Sequence, residues 1–142
     1  MRISQILTSK PEPRIATISP DATIRDVLAG LAEANVGALV VTEQGDRVVG
    51  IVSERDVVRR LHHDDLGLDA GVRDVMTAEV TTTEPGASVD DVMSVMTSGR
   101  FRHLPVCDDG ALIGVVSIGD LVKARIDQLE FERDQLGSYV QG

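Results

Sequence analysis

The chain has 142 residues, a formal net charge of −9 and a pI of about 4.7, which argues against non-specific binding to nucleic acid or an anionic membrane but leaves room for a local basic pocket. Aromatic residues make up 2% and tryptophan is absent, so the core must be aliphatic. Cys107 is the single cysteine, which rules out an intramolecular disulfide and makes a zinc cluster implausible.

In chain order, residues 3–8 are predicted to form a short helix. Lys10-Pro11-Glu12-Pro13 ends it, because proline lacks an N–H and restricts the residue before it. Ile15–Ile18 reads as a short strand. Thr23 caps a helix whose apolar positions Ile24, Val27, Leu28 and Leu31 fall on one stripe. Gly37 precedes a strand from Ala38 to Val41, Gln44-Gly45-Asp46 turns the chain, and Val48–Val52 returns. A second helix follows with Val57, Val58 and Leu61 apolar. His62 to Gly71 is polar and reads as a linker.

The plan then repeats. Val72–Thr77 matches the opening helix, Val80–Thr83 the first strand, and Ser88 caps a helix with Val89, Val92, Met93 and Met96 inward. Phe101–Val106 is the next strand, Asp108-Asp109-Gly110 the turn, and Leu112–Val116 the return. Early elements are offset by 65 residues (88 − 23, 106 − 41) and later ones by 64 (114 − 50, 120 − 56), so the first hairpin is one residue longer. A repeat this regular dictates the architecture. Each half is too small to be robust alone, and the two are expected to share an apolar face.

The repeat carries one motif twice, Gly50-Ile51-Val52-Ser53-Glu54-Arg55-Asp56 and Gly114-Val115-Val116-Ser117-Ile118-Gly119-Asp120. Each reads as a buried strand turning into a helix, with the serine as N-cap and the aspartate at the third helical position. A hydroxyl, a carboxylate and helix N-terminal N–H groups then meet at the turn, a fit for a ribose and a phosphate. Plain capping explains the serine and aspartate equally well. Thr23-Ile24-Arg25-Asp26 and Ser88-Val89-Asp90-Asp91 have the same pattern without the preceding glycine.

With both turns, the doubled β-α-β-β-α order and the run Arg100-Phe101-Arg102-His103-Leu104-Pro105-Val106, the sequence resembles the cystathionine-β-synthase (CBS) domain family. It is similar to the tandem pair called a Bateman module, in its small stand-alone bacterial form. The resemblance implies an α/β (α+β) fold of two repeats related by a pseudo-two-fold axis, plus a C-terminal helix. The expected divisions are 1–65 (first repeat with the N-terminal segment), 66–125 (second repeat) and 126–142 (helical tail). It also implies a regulatory or sensory module that binds an adenosine compound between the repeats: AMP, ADP, ATP, NAD or S-adenosylmethionine.

By position in the family motif, Asp56 and Asp120 would hold ribose hydroxyls, and Ser53 and Ser117 would face ribose or phosphate. Thr17, Ile18, Thr82 and Thr83 would line the adenine, and Arg55, Arg102 and His103 would approach phosphates. Gly37, Ala38 and Pro105 complete the expected lining. The first repeat has Gly37 and Ala38 where the second has Arg102 and His103, and the second has Gly119 where the first has Arg55. One dominant site is therefore expected, at Asp56.

No P-loop, GxGxxG or HExxH motif occurs, so no enzyme, catalytic cofactor or metal is expected. His62-His63-Asp64-Asp65 reads as a solvated stretch. The tail places Val122, Ile126, Leu129, Leu136 and Val140 on a heptad-like seam, which suits packing on its own module or against a second subunit. A homodimer with an unidentified protein target is expected. So is a cytoplasmic location, since no apolar run approaches the about 20 residues of a membrane span and Met1–Leu7 is too polar for a signal peptide. The alternative is a structural dimerisation module with no nucleotide.

Overall fold

The computed structural model describes residues 1–10 and 15–141, with side chains in the last helix as far as Ser138. The order is α1 (Ile3–Ser9), β1 (Thr17–Ile18), α2 (Ile24–Ala34), β2 (Ala38–Glu43), β3 (Arg47–Ser53), α3 (Glu54–His63), α4 (Val72–Val75), α5 (Val89–Gly99), β4 (His103–Asp108), β5 (Ala111–Ser117) and α6 (Ile118–Gln141). The breaker at Pro11 and Pro13 lies outside the described residues.

The hairpins β2–β3 and β4–β5 are antiparallel, pairing Ala38 with Ser53 and His103 with Ser117. Both registers slip at the same place, after Val41 and after Val106. Gln44 and Gly45 turn the first hairpin at positive φ, as Asp109 and Gly110 turn the second. Three residues lie between β2 and β3 and two between β4 and β5, which accounts for the change of offset from 65 to 64.

Two aliphatic cores result. Ile24, Val27, Leu39, Val41 and Val52 anchor the first, and Val89, Val92, Leu104, Val106 and Val116 the second. The opening helices are exchanged. Ile3 and Ile6 of α1 belong to the second core, and Val72 and Val75 of α4 to the first. The backbone fixes this: Ile3 N donates to Ala87 O (3.0 Å) and Val72 N to Ala22 O (2.9 Å). The halves are therefore interlocked, and β3 lies against β5 where they meet.

The exchange also explains the two motif glycines. A β-carbon at Gly50 would stand 2.6 Å from Met76 Sδ, and one at Gly114 would stand 2.7 Å from Leu7 Cδ2. A side chain at either position would push the tip of Met76 or Leu7 aside, so glycine lets the opening segments pack closely here. The glycine that precedes each serine–aspartate turn thus has a packing partner across the junction.

Several expected boundaries shift. The strand expected over Val80–Thr83 reduces to one bridge, Thr83 to Val106. In the first repeat Val40 N donates to Ala16 O (3.1 Å); the equivalent residue in the second is Pro105, which has no N–H to give. Phe101 and Arg102 precede β4, because Arg100 ends α5 in the left-handed conformation. His62 and His63 close α3 rather than opening the linker. Leu28 and Val58, apolar positions of α2 and α3, are exposed. Helix α6 runs unbroken past residue 125, with Leu121 in the core and Val122, Ile126, Leu129 and Leu136 exposed. The side chain of Val140 lies outside the described residues. No described helix is long and apolar enough to cross a membrane.

Candidate functional site

Each repeat delivers a strand-to-helix turn to the junction. At the first, Ser53 Oγ accepts from Asp56 N (3.2 Å) and Asp56 Oδ2 accepts from Ser53 N (3.0 Å). At the second, Ser117 and Asp120 make the same exchange at 3.1 and 2.8 Å. These boxes fix both carboxylates through Oδ2, and each serine keeps its O–H to donate. Glu54 N donates to Gly37 O (3.0 Å) and Ile118 N to Arg102 O (2.9 Å), which ties each helix start to the strand entry of its own repeat.

Two clefts open beside these turns. The larger, about 750 Å³, is lined by Ser53, Arg55 and Asp56 from the first repeat and by Thr81, Arg102 and His103 from the second. Arg59 and Arg100 bring its arginines to four, against the carboxylates of Glu54, Asp56 and Glu79. In a chain of net charge −9 that is a local reversal of sign, suited to an anion. The smaller, about 310 Å³, is lined by Ala16, Val115, Ser117, Asp120 and Lys10. Gly37, Ala38 and His103 line both. A β-carbon at Gly37 would be 3.5 Å from His103 Cε1, so these two residues form the partition.

The expected residues thus divide. Ser53, Arg55, Asp56 and Arg102 gather in the larger cleft, and Ser117 and Asp120 in the smaller. Thr17, Ile18, Thr82, Thr83 and Pro105 line neither; Ala16, Val80, Thr81 and Leu104 stand there instead. Thr17, Ile18 and Thr83 are engaged in edge pairing with the central strands.

Sequence reasoning missed Lys10, Glu79, Arg59 and Arg100. The opening helices are offset by 69 residues (72 − 3, 76 − 7), which makes Lys10 and Glu79 equivalent (79 − 10). That offset was the available signal.

The electrostatics differ between the clefts. Burial would raise the Asp120 carboxyl, but the Lys10 ammonium and the Ser117 N–H outweigh it and hold it below the usual carboxylate value. Burial also depresses the His103 imidazole below its ordinary 6.5; nearby Asp120 opposes this, and Lys10 and Arg102 reinforce it. His103 is therefore neutral at pH 7. A base whose folded pKa is depressed contributes fully above its unfolded pKa and loses that contribution as pH falls towards the folded one. Stability should decline below pH 6.5 more in the wild type than in His103→Gln, checked by urea midpoints at pH 7 and 5.5.

The comparisons decide the family. The CBS domain model matches residues 3–63 and again 72–127. The chain belongs to the CBS domain family. A CBS-domain protein from Burkholderia ambifaria MC40-6 superposes with a TM-score of 0.84 at 42% identity, covering 89% of this chain and 95% of that one. The CBS domain protein PAE2072 from Pyrobaculum aerophilum, solved in complex with AMP, matches with a TM-score of 0.78 at 31% identity over 94% of this chain and 99% of its own. The mitochondrial CBS domain-containing protein CBSX3 of Arabidopsis thaliana is 35% identical over 99% of this chain and 72% of its own length.

Proposed function

We propose that this CBS pair is a regulatory module that binds an adenine nucleotide of the AMP type in the larger cleft. The observation that carries the reading is the Ser53–Asp56 turn facing a cleft of about 750 Å³ with four arginines. The carboxylate accepts from ribose hydroxyls, and Arg55 or Arg102 meets the phosphate. The AMP complex of the Pyrobaculum aerophilum relative supports the ligand class. ADP, ATP, NAD and S-adenosylmethionine are the competitors. The reading is one of binding without turnover: what the Ser53–Asp56 turn and the arginines offer are ribose and phosphate contacts. A change of shape or assembly would pass the signal to a protein target.

Calorimetry against these five compounds tests the reading. One equivalent of an adenine nucleotide is expected at the larger cleft. Binding of none would leave the structural dimerisation reading in place, which the exposed stripe of α6 favours independently.

A homodimer is proposed on either reading. Leu28, Val58 and Val95 lie exposed on helices of both repeats, and Ile126, Leu129 and Leu136 on α6. Stripes of this kind mark interaction surfaces. Sedimentation is expected to give twice the 15.2 kDa chain mass at micromolar concentration; a 15.2 kDa particle would reject the dimer.

A further inference from the structure

The two clefts carry opposite charge where the opening segments of the two repeats reach them: Lys10 lines the smaller and Glu79 the larger. Lys10 Nζ stands 2.9 Å from Asp120 Oδ2 and donates to Val115 O at 2.8 Å. Both partners line the smaller cleft, and both side chains of the ion pair are about a quarter exposed (27% and 28%). By sequence count the counterpart of Lys10 is Glu79, which lines the larger cleft and, carrying the same charge as Asp56, cannot pair with it. An ammonium is a donor without acceptors, as a ribose hydroxyl is a donor to a carboxylate. Lys10 therefore already fills the role a ribose would take at Asp120.

We propose that Lys10 is a built-in latch that closes the smaller cleft, so that a ribose reaches Asp120 only by displacing the ammonium. The proposal rests on the nucleoside-binding reading of the motif and assigns it unequally to the two clefts. The latch is held from behind. Ser9 ends α1 and Lys10 follows at once, while Ile3 and Ile6 fix that helix in the second core. A nucleoside at Asp120 must break a partly buried ion pair and a hydrogen bond to a carbonyl. At Asp56 it meets a carboxylate engaged only by its own cap, among the described residues.

The test is calorimetry with adenosine and with AMP on the wild type, Lys10→Met and Lys10→Arg. The wild type should bind one equivalent, at the larger cleft. Lys10→Met should add a second equivalent or tighten it at least tenfold for both ligands, and Asp120→Asn in that background should remove the gain. Lys10→Arg keeps the charge and should stay closed. Thermal melts check that each variant folds. A second equivalent in the wild type that Lys10→Met weakens would overturn the latch and make Lys10 a ligand contact. No second equivalent in a folded Lys10→Met would also overturn it. If the first equivalent is missing from the wild type, the proposed function fails on its own, and the Asp120-dependent gain in Lys10→Met is still read separately.

Discussion

Asp56→Ala is expected to weaken AMP binding by ten- to more than a hundredfold while the fold survives. Two effects combine in that substitution and must be separated. Asp56 Oδ2 accepts from Ser53 N at 3.0 Å, so losing it breaks half of a capping box, worth about 0.5–1 kcal/mol of stability. If the same carboxylate holds ribose hydroxyls, charge-assisted hydrogen bonds are lost as well, about 1.5–3 kcal/mol of binding. Asp26 separates the two. It makes the same box with Thr23 (3.0 Å from Thr23 N to Oδ2) and lines neither cleft. Asp26→Ala should lower the melting temperature about as much and leave calorimetric affinity unchanged. Asp91 is a weaker control than its sequence suggests. Its N–H meets Ser88 Oγ, but α5 has no capping box, so Asp91→Ala should cost less. Equal loss of stability in Asp56→Ala and Asp26→Ala, with affinity unchanged in both, would leave the turn a cap and nothing more.

That the same four residues could be read as caps or as a site shows where sequence reasoning stops. Period and spacing placed the repeats, both hairpins and both serine–aspartate turns, because these depend on residues near each other in the chain. The motif glycines were visible, but their cause was not. Gly50 faces Met76 and Gly114 faces Leu7, contacts set by the crossing of the halves. Pro105 was read as part of a strand and a lining. It does lie in β4, but it lines neither cleft, and its missing N–H accompanies an edge pairing reduced to a single bridge at Thr83. The site was half legible for the same reason. Ser53, Asp56, Ser117 and Asp120 sit inside a local motif, whereas Lys10 reaches Asp120 from 110 residues away (120 − 10). Such a contact has no local signature. It became readable only once the offset between opening helices gave Lys10 a counterpart in Glu79.

Ile3→Ala should destabilise the second repeat, although the residue stands at the start of the first. Ile3 is fully buried in the core formed by Val89, Val92, Leu104 and Val116. Truncating a buried isoleucine to alanine costs about 2–5 kcal/mol, through lost burial and the cavity left behind. Small domains of this size hold only about 5–15 kcal/mol in all, so the effect is large. Hydrogen exchange shows where it falls. Amides of β4 and β5 should lose protection first in Ile3→Ala, and those of β2 and β3 should follow later. Val72→Ala should give the reverse order, because Val72 is its counterpart in the first core, with a smaller loss since fewer methyl groups are deleted. If Ile3→Ala instead exposes β2 and β3 first, the helix exchange is wrong, and the anchor behind Lys10 goes with it. If the exchange holds, loosening α1 should also free Lys10 from Asp120. Ile3→Ala should then show, at temperatures where it stays folded, part of the second-cleft gain expected of Lys10→Met.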